Sequence, residues 1–460
     1  MYLFYDFETS SRDLLGQILS YAFFCLDTSY TCLDTCTGYI QLNRIQLPDP
    51  DAIWVNQIHI EELAHKGIPE YEAAKTIFDF LNRCIQQYGT CTLVGFNSNR
   101  FDLEFLRSLL IRYGYNPYFM GKLQNRDVLH VAKWLALIHS ESFPWELGVN
   151  ALGNPYYVFK LETLAKSMGV LTAPQTHSAE EDVHLMVDLI RAFEQKFGVS
   201  FSKFIPIQYP KKPFFMLKQW EIGYSQSEAV PDHKTPRYWA KLWEDKQALL
   251  LLDLDKWQHL PEEATEIDCL SCLHRINPNK HFFISEALSA EETSYWTPVY
   301  EKASGHGFIA TLTPELYYEK IKKDWDIDYQ LYELGFERIP ILGHCVQTLI
   351  QQPDSYARTI RTLLDQYKQN GRHKKDFYLM QLFNRAYLNW HPHPTQEHLS
   401  RYMIPRYETG TLLKNAGDFV SIDERITRIQ ELLSIHKEPQ HQELLGALLK
   451  RYQAFFQGDC

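Results

Sequence analysis

A chain of 460 residues that is 45% hydrophobic and 14% aromatic can bury a large core, and its length points to about three domains. Its longest apolar runs, such as Ala248 to Leu252, are far too short to cross a bilayer, and the N-terminus lacks the basic start and apolar stretch of a signal peptide; these features exclude a membrane protein and lead us to expect a cytoplasmic one. A net charge of -11 excludes a uniformly basic surface of the kind that binds phosphates without help.

The acidic excess lies mainly in the first 200 residues, which hold 15 Lys and Arg against 23 Asp and Glu; the remainder holds 31 against 34. Any basic track is therefore local, and the candidates are Lys211, Lys212 and Lys218, then Arg358, Arg361, Lys368, Arg372, Lys374 and Lys375. The nine cysteines are scattered and odd in number, which argues for thiols rather than a disulfide framework. Neither Cys32 with Cys36 nor Cys269 with Cys272 has the second pair that a structural zinc site needs, and His391, His393 and His398 read as loop and helix-start residues.

In chain order, residues 2–8 and 18–26 read as adjacent strands joined by a stretch too short for a helix. Asp6 and Glu8 close the first strand. Residues i and i+2 of a strand share a face, so these two carboxylates project together, an arrangement that suits a hard divalent cation. A helix is expected over 70–88, then a buried strand over 91–96 that runs through Asn97-Ser98-Asn99 into an amphipathic helix. Asp102 stands at that strand-to-helix junction. Further helices are expected over 128–138, 161–168 and 179–197, and His177 and Asp182 flank the start of the last. Each acid also has a local reading: Glu8 can open a turn, while Asp102 and Asp182 can support helix dipoles beside a Ser178 cap. Alternation of strand and helix, with a hairpin at the start, indicates an α/β segment built on a mixed sheet.

Pro206, Pro210 and Pro213 mark a linker. Short strands over 248–254 and 281–284 then indicate a small β-rich domain, and apolar residues at three- and four-residue spacings over 341–456 indicate a helical one. We place the boundaries at 1–200, 201–335 and 336–460.

An Asp-x-Glu on a strand, an Asp at a strand-to-helix junction about a hundred residues on, and His-x4-Asp at a late helix resemble the DEDD superfamily of 3′→5′ exonucleases, in the subgroup with His in the last motif. More closely, Asn97 to Asp102, Asn116-Pro117-Tyr118, Phe159 to Leu164, Leu249 to Leu254 and His274 to Asn277 resemble the bacterial exonuclease I family in order and spacing. The resemblance implies a ribonuclease H-like exonuclease domain, an SH3-like domain and a helical C-terminal domain. It also implies degradation of single-stranded DNA to nucleoside 5′-monophosphates in DNA repair.

In that reading Asp6, Glu8 and Asp182 hold one Mg²⁺, Asp6 bridges to a second that Asp102 helps to place, Mn²⁺ is an alternative, and His177 is the general base. The resemblance further assigns strand contact to Arg107, Tyr118, Lys133 and Lys160, and contact with the substrate terminus to Glu8 and His177. Lys133 and Lys160 stand where the family has Arg, which loses bidentate phosphate geometry. The stretch 224–236 is abbreviated, which suggests weaker processivity. Expected partners are single-stranded DNA and a single-strand-binding protein, whose acidic tail the helical domain would receive; no membrane partner is expected, and the chain should be a monomer. Two other readings stay open: an RNA or short-oligonucleotide exonuclease, and a non-enzymatic binding module on a nuclease scaffold.

Overall fold

The computed structural model describes residues 1–12, 16–139, 141–149, 155–171, 178–204, 222–225, 237–244, 249–276, 285–286, 288–320, 339–356, 358–359, 362, 383, 385–391, 407–408 and 420–457. His177, the Pro206 to Pro213 linker, the expected strand 281–284 and all the candidate basic-track residues except Arg358 lie outside these.

Strand β1 (Tyr2–Thr9) pairs antiparallel with β2 (Ile18–Leu26), and β2 pairs antiparallel with β3 (Cys32–Tyr39). On its other side β1 pairs in parallel with β4 (Cys91–Gly95), and β5 (Leu123–Asp127) completes a five-stranded sheet of order β3-β2-β1-β4-β5. The expected mixed sheet is thus present, with β1 at its centre. Leu3, Tyr5 and Phe7 on one face of β1 enter a core with Tyr21, Phe23 and Phe80. That core is closed by helices α3 (Glu70–Tyr88), which buries one apolar side, and α4 (Asp102–Arg112), which is buried at every residue but Arg107.

Two short helices, α1 (Pro50–Asn56) and α2 (Ile60–Lys66), precede α3. After β5 come α5 (Val128–Ile138), a small hairpin of β6 (Leu147–Val149) and β7 (Pro155–Tyr157), α6 (Leu161–Ser167) and α7 (Ala179–Phe197).

Contacts divide the chain into two compact units. The first comprises Met1–Arg126, Pro174–Val187 and Lys323–Cys460; the second comprises Asp127–Ala173 and Asp188–Lys322. Within the second lies another five-stranded sheet, of order β11-β10-β9-β8-β12, formed by β8 (Ile222–Ser225), β9 (Arg237–Glu244), β10 (Leu249–Asp253), β11 (Leu273–Ile276) and β12 (Ser285–Glu286). Each of its described pairings is antiparallel. The helix Ala290–Ser304 packs Trp296 and Ala303 against Leu242, Leu250 and Leu252 of that sheet.

The C-terminal region is helical, as expected, over Ile339–Gln351, Ile422–Ile435 and Pro439–Gln457. Among the described residues no helix is long and apolar enough to cross a membrane.

Candidate active site

Parallel pairing between β1 and β4 ends at Phe4 opposite Val94. The next residues of β1 therefore run beyond β4. Across β2, Asp6 faces Ala22 and Glu8 faces Ser20; these small neighbours leave room above the sheet for both carboxylates. Both are half-buried, while the alternate residues Tyr5 and Phe7 are buried in the core.

Chain geometry after β4 delivers the third acid. Asn97 adopts a left-handed φ of 57°, a conformation that Asn tolerates better than most residues. The turn that follows is tied by Leu103 N–H donating to Ser98 O at 3.0 Å. Asn125 Nδ2 donates to Asn99 Oδ1 at 2.6 Å, and Tyr5 Oη donates to Asn125 Oδ1 at 3.0 Å. Tyr5 and Asn125 thus connect the central strand and an outer one to the turn from which Asp102 starts α4. Neither was singled out from the sequence, and only the strand order reveals their role. Asp102 is 3% exposed.

Asp182 comes from the first turn of α7, where its N–H donates to Ser178 O at 2.9 Å. Carboxylate oxygens of Asp6, Glu8 and Asp182 all lie within 4.8 Å of one another. Neither Asp6 nor Glu8 makes an ion pair with a described cation. Burial, followed by the charges of Asp102, Asp182 and Glu8, pushes Asp6 well above the ordinary carboxylate range. Glu8 is pushed up to about 9 by burial, then by Asp182 and Asp102. Such a site holds its ionised form only if positive charge enters it. The all-oxygen donor set fits a hard divalent cation.

Arg107, one turn and a half along α4, places its guanidinium 5.3 Å from the ring centroid of Tyr118 and pairs with Glu104 at 3.6 Å. Its Nε is buried without a hydrogen-bond partner among the described residues. The structure therefore brings Arg107 and Tyr118 to each other. Lys133 is half-buried on α5 and Lys160 is exposed before α6; both belong to the second unit.

No protein-family model matches the chain. Exodeoxyribonuclease I of Buchnera aphidicola subsp. Acyrthosiphon pisum is 26% identical over 215 residues, 45% of this chain and 49% of that protein. The chain's match thus spans about half the length of that relative. Among solved structures, E. coli exonuclease I in complex with a dT13 oligonucleotide superposes with a TM-score of 0.67 at 18% identity, covering 99% of both chains. A zinc-bound form of the E. coli ExoI complex with single-stranded DNA gives 0.63 at 17% identity, again over 99% of both. The chain is thus similar to bacterial exonuclease I in fold along nearly its whole length, and in sequence over 45% of it.

Proposed function

We propose that the chain is a metal-dependent 3′→5′ exonuclease that removes nucleoside 5′-monophosphates from single-stranded DNA. The observation that carries this reading is the convergence of Asp6, Glu8 and Asp182 within 4.8 Å, with the charge of Asp102 acting on both Asp6 and Glu8. An exonuclease I fold along the chain supports it.

In this reading Asp6, Glu8, Asp102 and Asp182 hold divalent cations, Mg²⁺ or Mn²⁺. When bound, such ions neutralise charge on the scissile phosphate and ease loss of a proton from the attacking water. His177 accepts that proton as general base. Glu8 also contacts the terminal 3′-hydroxyl. Tyr118 stacks on a base, while Arg107, Lys133 and Lys160 meet backbone phosphates and fix the register of the strand.

The same reading makes the protein a monomeric cytoplasmic repair nuclease of three domains, 1–200, 201–335 and 336–460. A single-strand-binding protein would dock by its acidic tail on the helical domain.

The test is release of 5′-mononucleotides from end-labelled single-stranded DNA, duplex DNA and RNA, with Mg²⁺, Mn²⁺ or chelator. Single-stranded DNA should be degraded from the 3′ end only with metal, and Asp6→Ala and His177→Ala proteins should be folded but inactive. Activity in chelator would overturn the metal mechanism; preference for RNA would replace the substrate; inactivity of the wild type with every metal would leave a binding module.

A further inference from the structure

Away from the carboxylate cluster, the turn between the helices Ile422–Ile435 and Pro439–Gln457 gathers His436, Glu438 and His441. One ligand atom from each lies within 4.8 Å of the other two. His441 Nδ1 is already 3.1 Å from Glu438 Oε2. Neighbouring donors in a tetrahedral zinc site stand about 3.3 Å apart, given metal bonds of about 2.0–2.1 Å. The His441–Glu438 spacing already meets that distance, and because no pair exceeds 4.8 Å the remaining closure onto His436 is at most about 1.5 Å.

Both imidazoles are held in place. The His436 ring packs on Trp54 of α1 at 4.0 Å between centroids, and His441 meets the edge or face of the same indole at 4.7 Å. Gln442 Nε2 donates to the carbonyls of Leu433 and His436, fixing the turn itself. Lys437, the cation between the ligands in sequence, donates from Nζ to Leu433 O and so caps the first helix. The His436 ring makes no hydrogen bond to any described residue. Helix dipoles here act in opposite senses, because the end of one helix attracts a cation while the start of the next repels it.

We propose that His436, Glu438 and His441 form a second divalent-cation site, selective for zinc-class ions and separate from the carboxylate cluster. Two imidazoles with one carboxylate prefer Zn²⁺, Co²⁺ or Ni²⁺ over Mg²⁺. Three protein ligands leave a fourth position for water. All three ligands lie within six residues of chain, so the ion stiffens the turn and, through Trp54, its packing on α1.

Zinc binding to the full-length protein in excess Mg²⁺ tests this, with Co²⁺ as a spectroscopic substitute. The wild type and an Asp6→Ala protein should each bind zinc at this site, with a zinc-dependent rise in Tm. His441→Ala should lose more than about 100-fold in zinc affinity, beyond the cost of removing a ligand's supporting partner. His436→Gln should behave likewise, and both should keep a cooperative metal-free melting transition to show that they fold. Wild-type protein with Co²⁺ should give the intense visible bands of tetrahedral nitrogen-containing coordination. Equal zinc binding by wild type and His441→Ala, loss of all zinc binding in Asp6→Ala, or only weak octahedral cobalt bands in the wild type would each overturn the proposal.

Discussion

Glu8 sets a pH dependence that can be worked out before any substrate is added. Its ordinary value of 4.5 is pushed to about 9, so between those values the folded state holds a proton that the unfolded state has released. The contribution of this group to stability is therefore complete below about pH 4.5 and is lost as pH rises through about 9. Asp6, raised by the same causes, acts in the same sense. Thermal unfolding in chelator should show Tm falling from pH 5 to 9, and Mg²⁺ should restore much of the loss by stabilising the ionised acids. Glu8→Gln should raise the metal-free stability at neutral pH by about 0.5–2 kcal/mol while abolishing activity, the usual conflict between a strained site and a stable one. A Glu8→Gln protein less stable than wild type in chelator would show that burial of this acid among its neighbours is not what burdens the fold.

These acids were legible because β1 alternates so plainly: two carboxylates interrupt one face of a strand whose other face is Leu3, Tyr5 and Phe7. The polar chain that positions Asp102 was not, since Tyr5 and Asn125 are 120 residues apart and only the folded sheet brings them together.

Among the elements, β2, α3, α5 and α7 fall where the hydrophobic periodicity put them. Strand β3 lacked that signal: Asp34, Gly38 and several exposed polar residues occupy an edge of the sheet, where one face meets water. Strand β5, Leu-Gln-Asn-Arg-Asp, is too polar to read as a strand and exists because β4 offers it an edge. That strand matters because it carries Asn125. At the end of β4, a Cβ added to Gly95 would come within 2.6 Å of Ser98 Cβ, so a side chain there collides with the turn leading to Asp102. Gly95→Ala should cost about 1–3 kcal/mol by overpacking and lower kcat by displacing Asp102. Asn125→Ala should lower kcat too, and an unchanged kcat in both proteins would show that the turn does not control the site.

The other end of α4 is anchored independently. Arg112 reaches Glu70, at the start of α3, at 2.8 Å, and Tyr113 and Asn43 also donate to that carboxylate. Burial acts to raise Glu70, but Arg112, Arg385 and these hydrogen bonds outweigh it and hold the acid below its ordinary value. Its stabilising effect is present above the unfolded pKa of 4.5 and is lost as pH falls through the lower folded value. Glu70→Ala should destabilise the neutral protein by about 3–5 kcal/mol, because the buried Arg112 would lose the carboxylate that balances its charge. Chemical denaturation at pH 7 measures this, and a loss below about 1 kcal/mol would mean that α3 and α4 do not depend on the pair.

At the scale of the molecule, the C-terminal helices are built into the unit that bears the carboxylates. Residues 45–63 and 422–452 share one core, in which Leu47, Ile53 and Leu63 meet Ile429, Leu445 and Tyr452. Polar contacts follow the same seam. Arg451 donates to the carbonyls of Asn43 and Gln46, and Tyr452 Oη donates to Pro48 O at 2.7 Å. This covered segment reaches the end of β1 directly: Asp49 N–H donates to Ser10 O, and Asn56 Nδ2 donates to Thr9 O at 3.1 Å, one residue beyond Glu8. The sequence pattern predicts helices over 341–456 but could not show what the apolar faces of Ile422–Ile435 and Pro439–Gln457 cover, since periodicity identifies a buried face and not its partner. Tyr452→Ala removes a fully buried ring together with a hydroxyl that satisfies Pro48 O, and should cost about 3–5 kcal/mol. If the core is one cooperative body, the loss should lower a single transition that carries both the β1 end and the C-terminal helices. Intrinsic tryptophan fluorescence and backbone circular dichroism should then shift to the same lower midpoint. Melting of the C-terminal helices ahead of an unaltered main transition would show instead that they are a separable layer, and that the end of β1 holds its acids without them.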